Sequence, residues 1–372
     1  MDSIAYHKKY KGKIGTELKS PINNKDDLSL AYTPGVAKVS LELFKNNKLA
    51  SILSLKSNTI AIVSDGSAVL GLGNIGAYGA IPVMEGKAAL FKKFANVDAF
   101  PICLDTQNNE EIIKLVKNIA PVFGGINLED IKAPRCFEIE RRLIKELDIP
   151  VMHDDQHGTA VVVLAALINA LKVAKKDKTV KIAINGAGAA GTAVSYLLLE
   201  YGFKNIVICD SMGAISNKRK DLSDEKIRLA KITNKNNEIG DIHKIIKNKD
   251  VFIGVSKGNL VNVEDIKNMN PKAIVFAMAN PTPEIMPDEA KLGGAMIVAT
   301  GRSDFDNQIN NVLAFPGIFR GALDNKVKKI TNKMLISAAV NLARLIKFPT
   351  PEKIIPSPFN KSVVKAVSSS IR

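Results

Sequence analysis

The 372-residue sequence predicts an α/β protein with two domains, each built on a mostly parallel sheet. Three observations lead to this prediction. Short apolar runs of strand type alternate with segments of helical periodicity along the chain. Acidic residues follow two of the predicted strands at the points where those strands end. A glycine-rich turn in the second half joins one strand directly to a helix.

Composition and charge fit a globular protein, with 46% hydrophobic and 24% charged residues. The formal net charge of +15 can indicate nucleic-acid binding. The basic residues are spread along the chain rather than clustered, so we expect no nucleic-acid partner. The milder interpretation is a general attraction for anionic cofactors and acids.

Cysteine spacing and apolar runs bear on the compartment. Cys103, Cys136 and Cys209 are far apart and form neither a disulfide framework nor a zinc motif. The N-terminus lacks an apolar signal region, and the longest apolar run, residues 159–174, is shorter than a bilayer span. We therefore expect a cytoplasmic protein with no membrane contact.

Strands and helices alternate in the first half. The pattern predicts a strand at 59–64, a helix from Pro82, a strand at 98–104, a helix at 109–120, a strand at 123–127 and a helix at 135–147. Residues 71–76 match GxGxxG but do not follow a strand directly, and no acidic strand end lies at the dinucleotide spacing. We interpret them as a loop that allows close backbone approach to a small substrate.

Two acidic pairs occupy neighbouring strand ends. Glu129 and Asp130 follow the strand at 123–127, and Asp154 and Asp155 follow the apolar residues 149–152. Adjacent carboxylates repel each other unless a cation or base lies between them. The pairs together predict one divalent cation, Mg²⁺ or Mn²⁺, held by oxygen ligands. Either pair alone could instead cap a helix.

Lys87 is the candidate base. A helix starting at Pro82 would place it near the helix N-terminus, where the helix dipole lowers the pKa of an ammonium group. A lysine base needs such a lowered pKa. The alternative is an ordinary solvated lysine.

The second half contains the stronger cofactor signal. A strand at 180–185 runs directly into the glycine-rich turn 186–191, which opens a helix at 192–200. The next strand, 206–209, ends at Asp210. This context predicts a Rossmann domain that binds a dinucleotide. The cofactor-binding residues of the turn are Gly186, Gly188, Ala189, Ala190 and Gly191.

The choice between NAD and NADP stays open. Asp210 would accept hydrogen bonds from the adenosine ribose, which favours NAD. Basic residues shortly afterwards, at 218–220, could hold the 2′-phosphate of NADP.

Three further polar residues are candidates. Asn280 and Asn311 could offer amides to a substrate carboxylate or to a nicotinamide amide, although isolated asparagines more often form turns. Tyr32 stands next to a Pro-Gly turn and, by itself, reads as an ordinary packed tyrosine.

Taken together, these motifs resemble the malic enzymes. The resemblance rests on residues 31–37, 71–76, 85–87, 127–130, 153–159, 185–191, 279–282 and 315–317, in the family's order. It covers nearly the whole chain and is closest to the short bacterial form, which also occurs as the front half of a hybrid protein. It implies a substrate and metal domain at 1–157, a Rossmann domain at 158–345 and a C-terminal tail at 346–372.

The resemblance also implies roles. L-malate would be oxidised and decarboxylated to pyruvate and CO2, with NAD or NADP reduced. Glu129, Asp130 and Asp155 would hold the metal, Lys87 would be the base oriented by Asp154, and Tyr32 would protonate C3 of the enolpyruvate. The substrate-binding residues would be Tyr32, Lys87, Asn280 and Asn311, and both asparagines could also contact the cofactor.

One feature departs from the family. Larger members carry an arginine just before the glycine-rich loop to bind the malate carboxylate, and residues 67–69 have none. The family also implies a homodimer or a higher homo-oligomer. The alternatives are a malolactic-type enzyme or another two-domain NAD(P)-dependent dehydrogenase.

Overall fold

The computed structural model describes residues 2–69 and 71–372. The strands of its first sheet are β1 Thr59–Ser64, β2 Asp98–Cys103, β3 Gly125–Leu128 and β4 Val151–His153. They lie in the order β2-β1-β3-β4, and all neighbours are parallel. The carboxyl ends of β3 and β4 therefore meet at one edge of this sheet.

The second sheet contains the remaining strands, β5 Lys181–Asn185, β6 Asn205–Asp210, β7 Gly213–Ala214, β8 Val251–Gly254, β9 Ala273–Ala277 and β10 Ala295–Thr300. Their order is β10-β9-β8-β5-β6-β7. All neighbours are parallel except the short antiparallel β7. The chain reverses its winding direction at β5, where parallel sheets open a crevice for a ligand. The predicted fold class, two parallel α/β units, is confirmed.

Helices cover both sheets. In chain order they are α1 Ser3–Tyr10, α2 Lys25–Ala31, α3 Val36–Lys45, α4 Ala50–Leu53, α5 Gly76–Ala95, α6 Asn109–Ile119, α7 Arg135–Glu146, α8 Asp154–Ala174, α9 Ala189–Tyr201, α10 Asp224–Ile232, α11 Ile242–Ile245, α12 Val263–Lys267, α13 Pro287–Leu292, α14 Phe315–Asp324, α15 Asn332–Arg344 and α16 Val363–Ser368.

Helix α8 is the central element. It packs against α9 and α15, and most of its residues are buried. With 21 residues it is long and apolar enough to cross a membrane by length and composition, but 72% of its apolar window is buried inside the protein. It is therefore a core helix. The helix begins at Asp154, five residues before the apolar run 159–174.

The predicted domain boundaries divide continuous structure. The boundary at 157/158 falls in the first turn of α8. The tail at 346–372 contains α16, which packs against α14 and α15. Helix α14 in turn packs against α5 of the first unit.

The N-terminal helices expose apolar side chains. Helices α1 to α4 contain no buried residue. Large hydrophobic side chains that face solvent here include Ile4, Leu18, Leu30, Leu41, Phe44 and Ile52. Exposed apolar side chains grouped on one segment are typical of protein–protein interaction surfaces.

Candidate active site

An acidic cluster forms at the shared edge of β3 and β4. Glu129 and Asp130 follow β3, while Asp154 and Asp155 form the first turn of α8. Oxygen atoms of Glu129, Asp130 and Asp155 lie within 4.8 Å of one another. The structure thus brings together the three predicted metal ligands, from strand ends 25 residues apart in sequence.

Electrostatics make this cluster costly without a cation. Burial, with the nearby charges of Asp155 and Glu129, raises the pKa of Asp130 to about 9. Burial likewise raises the pKa of Asp154 to about 7. Asp130 Oδ2 and Asp154 Oδ1 are buried without a hydrogen-bond partner among the described residues. Uncompensated buried carboxylate oxygens of this kind fit Mg²⁺ or Mn²⁺.

Lys87 lies against the same cluster. Its Nζ is 2.5 Å from Glu129 Oε1, is hydrogen bonded to Asp154 Oδ2, and stands 4.3 Å from the centre of the Phe315 ring. The side chain is 7% exposed. Lys87 can therefore exchange a proton only with groups that enter this cleft.

Two expectations about Lys87 were wrong. Helix α5 begins at Gly76, so Lys87 lies in the middle of a helix that contains Pro82 rather than near its start. Burial lowers the pKa of Lys87, but the negative charges of Asp154 and Glu129 outweigh it and raise the pKa above its ordinary value. The carboxylates, not the helix dipole, dominate this ammonium group.

A buried glutamate, Glu140, contacts residues next to the acidic cluster. Glu140 of α7 accepts a hydrogen bond from the backbone N–H of His153, with N and Oε1 2.7 Å apart. Its other oxygen lies 3.2 Å from Gln156 Nε2 and 3.1 Å from His157 Nε2. The sequence analysis missed this residue. Its position among the buried Cys136, Ile139 and Leu143 on one helix face was the available signal.

The segment 65–68, which leads toward the glycine-rich loop 71–76, is anchored beside the acidic cluster. Ala68 N donates to Asp130 O at 2.9 Å, and Lys132 N donates to Ser67 Oγ at 2.9 Å. An arginine from outside the motif also reaches this region. Arg135 donates to Asp65 Oδ2 at 2.7 Å and to Ser67 Oγ at 2.9 Å. Its contacts hold this segment in place.

Tyr32 is not brought to the cluster within one chain. It follows helix α2 and is 68% exposed. Among the described residues, its hydroxyl has no hydrogen bond to Lys87 or to any of the four acids.

The turn after β5 has the shape of a dinucleotide cradle. Gly186 has φ +114°, which favours glycine, and a Cβ on Gly191 would lie 1.7 Å from Gly186 O. A Cβ on Gly188 would meet no atom within 4 Å, so its outer side is open. Helix α9 starts at Ala189, includes Ala190, and has no side-chain cap. Its free N–H groups fit a pyrophosphate.

The carboxylate of Asp210 is already occupied. Arg219 Nη1 and Nη2 donate to its two oxygens at 2.7 and 3.1 Å, and Lys226 Nζ lies 2.5 Å from Oδ2. These cations lower the pKa of Asp210 although burial opposes them. A ribose hydroxyl must compete with both cations for Asp210, and their charges offset its repulsion of a 2′-phosphate.

Comparison with known proteins decides the family. Residues 11–114 and 108–144 match the model for the malic enzyme N-terminal domain, and residues 156–371 match the malic enzyme NAD binding domain. The chain belongs to the malic enzyme family.

Individual malic enzymes are similar over the whole chain. The NAD-dependent malic enzyme of Geobacillus stearothermophilus is 54% identical over 97% of this chain and 76% of its own length. The bifunctional malic/malolactic enzyme of Bacillus subtilis is 50% identical over 100% of this chain and 91% of its own. The crystal structure of the NAD-dependent malic enzyme from Thermotoga maritima has a TM-score of 0.97 and 50% identity, covering 100% of this chain and 99% of that one.

The malic enzyme cleft contains a cavity of about 620 Å³ between the two units. Its walls include Leu72 of the glycine-rich loop, Asn280 after β9, Arg302 after β10, and Asn310. Asn311, the next residue, lies against the first turn of α8, since a Cβ added to Gly158 would be 3.3 Å from the Cβ of Asn311. Asn280 therefore lines the cavity, and Asn311 lies next to the helix turn that carries Asp154 and Asp155.

Proposed function

We propose that this chain catalyses the metal-dependent oxidative decarboxylation of L-malate to pyruvate and CO2, with reduction of NAD⁺ or NADP⁺. The observation that carries the proposal is the contact of Lys87 with Asp154 and Glu129 at the edge of a three-carboxylate cluster. Membership of the malic enzyme family and the open cradle at Gly188 support it.

Because the carboxylates raise the pKa of Lys87, its ammonium proton first passes to Asp154, to which it is hydrogen bonded, and Lys87 then removes the proton of the malate C2 hydroxyl. It is buried, and Asp154 fixes the direction of its ammonium group, so the base is held in one geometry. The hydride from C2 passes to the nicotinamide when NAD(P) is bound at the turn after β5. The products balance because the hydroxyl loses one proton and C3 gains one.

Glu129, Asp130 and Asp155 hold the divalent cation. A cation held by these residues would polarise the C2 oxygen and stabilise negative charge on it. The unpartnered Oδ2 of Asp130 supports this assignment, and its pKa of about 9 reflects burial together with the nearby charges of Asp155 and Glu129. Asn280 and Asn311 supply amides to malate, to the nicotinamide, or to both.

Tyr32 delivers the proton to C3, and it does so in a homodimer. In a single chain Tyr32 is exposed on the same apolar N-terminal segment as Leu30 and Phe44, which are 79% and 89% exposed. A second copy of this chain would cover that surface. The role of Tyr32 therefore depends on the assembled dimer, as does the shape of the site around it.

Free thiols support a reducing compartment. Cys103, Cys136 and Cys209 are all unpaired, and Cys136 and Cys209 are buried. This agrees with the proposed cytoplasmic location.

The experiment is a measurement of NAD(P)H formation with L-malate, Mn²⁺ and each cofactor in turn. Lys87→Ala is expected to abolish malate oxidation while NAD(P)H still binds. Lys93→Ala on the same helix is the matched control because Lys93 is exposed. Full activity of Lys87→Ala would overturn its role. Activity that survives EDTA, or lactate as the product, would favour the alternative dehydrogenase or the malolactic reaction.

A further inference from the structure

The substrate poses an electrostatic problem that the acidic cluster does not solve. Malate is a dianion. The site contains four carboxylates and one ammonium group, that of Lys87. The carboxylates belong to Glu129, Asp130, Asp154 and Asp155. A divalent cation still leaves negative charge in excess. A positive group on the other wall of the cleft is therefore needed to attract the substrate.

Arg302 occupies that wall. Among the described residues that line the 620 Å³ cavity, it is the only cation. It follows β10, two strands beyond β8 on the side of the sheet opposite β6. Because Asp210 at the end of β6 marks the adenosine end of the dinucleotide, the β9 and β10 ends lie on the nicotinamide and substrate side.

Hydrogen bonds orient the guanidinium group of Arg302 but do not use all of its N–H donors. Its Nε and Nη2 donate to Asp304 at 2.9 and 2.6 Å, and Nη1 donates to Pro281 O at 3.1 Å. A guanidinium has five N–H donors. Among the described residues, one N–H on each of Nη1 and Nη2 has no partner. These two can bind a carboxylate in the paired geometry that arginine favours.

The hydrogen-bond partners of Arg302 also fix the position of its side chain. Asp304, which also lines the cavity and is 55% exposed, holds Arg302 through two parallel hydrogen bonds, so it fixes the plane of the guanidinium and offsets part of its charge. The bond to Pro281 O ties Arg302 to the residue after Asn280, which also lines the cavity. The side chain of Arg302 is thus held at the cavity wall, and its ion pair with Asp304 is not buried.

We propose that Arg302 binds the malate carboxylate that is retained in pyruvate, in place of the arginine that residues 67–69 lack. This rests on the proposed malate oxidation. Arg302 contributes a charge-assisted, two-point contact, and it selects 2-hydroxy carboxylates over neutral hydroxy compounds.

Equilibrium binding of L-malate tests the proposal, measured by calorimetry on full-length protein with Mn²⁺ and NADH present so that no turnover occurs. Arg302→Gln is expected to weaken malate binding by about ten- to a hundredfold while leaving NADH binding unchanged. Arg302→Lys should give an intermediate loss because it keeps the charge but not the paired geometry. Arg344→Gln is the control, since Arg344 is exposed at the end of α15.

The outcomes separate this proposal from the proposed function. Unchanged malate affinity in Arg302→Gln, or an equal loss of malate and NADH binding, overturns the role of Arg302. The proposed malate reaction is unaffected by that result as long as the wild-type protein oxidises malate. If the wild-type protein neither binds nor oxidises malate, the proposed function fails and this inference fails with it. In steady state the supporting result is a raised KM for malate with a smaller change in kcat.

Discussion

The backbone amide of Asp130 donates a hydrogen bond to the carboxylate of Asp155, with 2.9 Å between N and Oδ2. This bond joins the end of β3 to the first turn of α8 and brings two proposed metal ligands into register. The remaining lone pairs of Asp155 stay available to a cation. The backbone itself thus preorganises the cluster.

Asp155→Asn should weaken Mn²⁺ binding by at least about tenfold, because one of three ligand charges is lost while the Asp130 hydrogen bond can persist. Titration of Mn²⁺ followed by electron paramagnetic resonance measures this. Asp148→Asn is the control, since the Asp148 side chain is 92% exposed. Equal affinity in wild type and Asp155→Asn would remove Asp155 from the ligand set.

Stabilisation by the cation should grow with pH. The pKa of Asp130 is about 9 in the cation-free fold, against about 3.9 for a free aspartate. Between these values the folded state retains a proton that the unfolded state has released, so stability without a cation falls as pH rises. The difference in Tm between Mn²⁺ and EDTA samples is therefore expected to widen from about pH 6 to about pH 8. In Asp130→Asn this widening of the Tm difference should be smaller, with Asp154, whose pKa is about 7, still titrating in this range. A Tm difference that narrows with pH in the wild type would contradict the assignment.

Gly158→Ala should impair catalysis without touching a reacting group. A Cβ at this position would lie 1.8 Å from Asp154 Oδ1, so Asp154 must move and Lys87 loses its orientation. Displacement of a catalytic group by about 1 Å can cost about a hundredfold in rate. Malate oxidation rates measure the loss.

Gly15→Ala provides the matched control for that substitution. A Cβ on Gly15 would meet no atom within 4 Å, so its activity should equal that of the wild type. An active Gly158→Ala enzyme would show that Asp154 tolerates displacement.

Two glycines of the dinucleotide turn should behave differently. Gly191→Ala places a Cβ 1.7 Å from Gly186 O and should lower both Tm and NADH affinity. Gly188→Ala adds a Cβ in open space, so the fold should be kept while the added methyl group obstructs the pyrophosphate. NADH fluorescence and thermal melts distinguish the two effects. Normal NADH binding by Gly188→Ala would place the pyrophosphate elsewhere.

Phe44→Ser should shift the protein from dimer toward monomer, because Phe44 is 89% exposed on the apolar N-terminal segment. Light scattering after size-exclusion chromatography gives the mass. Phe348→Ser is the matched control, since Phe348 is 87% exposed but lies outside that segment. A wild-type monomer, or identical behaviour of both variants, would refute the proposed interface.

Local pattern was sufficient to predict the acidic cluster. Carboxyl ends of neighbouring parallel strands meet, so Glu129, Asp130 and Asp155 had to lie close together once β3 and β4 were adjacent. The dinucleotide turn was equally visible, because strand, glycines and helix are contiguous in sequence at 181–201.

Long-range contacts were beyond local pattern. Pro82 suggested a helix start, yet α5 continues through it, so the position of Lys87 in its helix was mistaken. The raised pKa of Lys87 depends on Asp154, 67 residues away. Glu140 and Arg135 were missed for the same reason, since their partners come from other elements.

Helix α8 carries Asp154 and Asp155 on its first turn and ends deep in the nucleotide-binding half. This single helix therefore fixes the distance between the acidic cluster and the domain that presents the hydride acceptor. Cutting the chain at 157/158 would sever that helix one turn from its start and separate Asp154 and Asp155 from most of the helix that carries them.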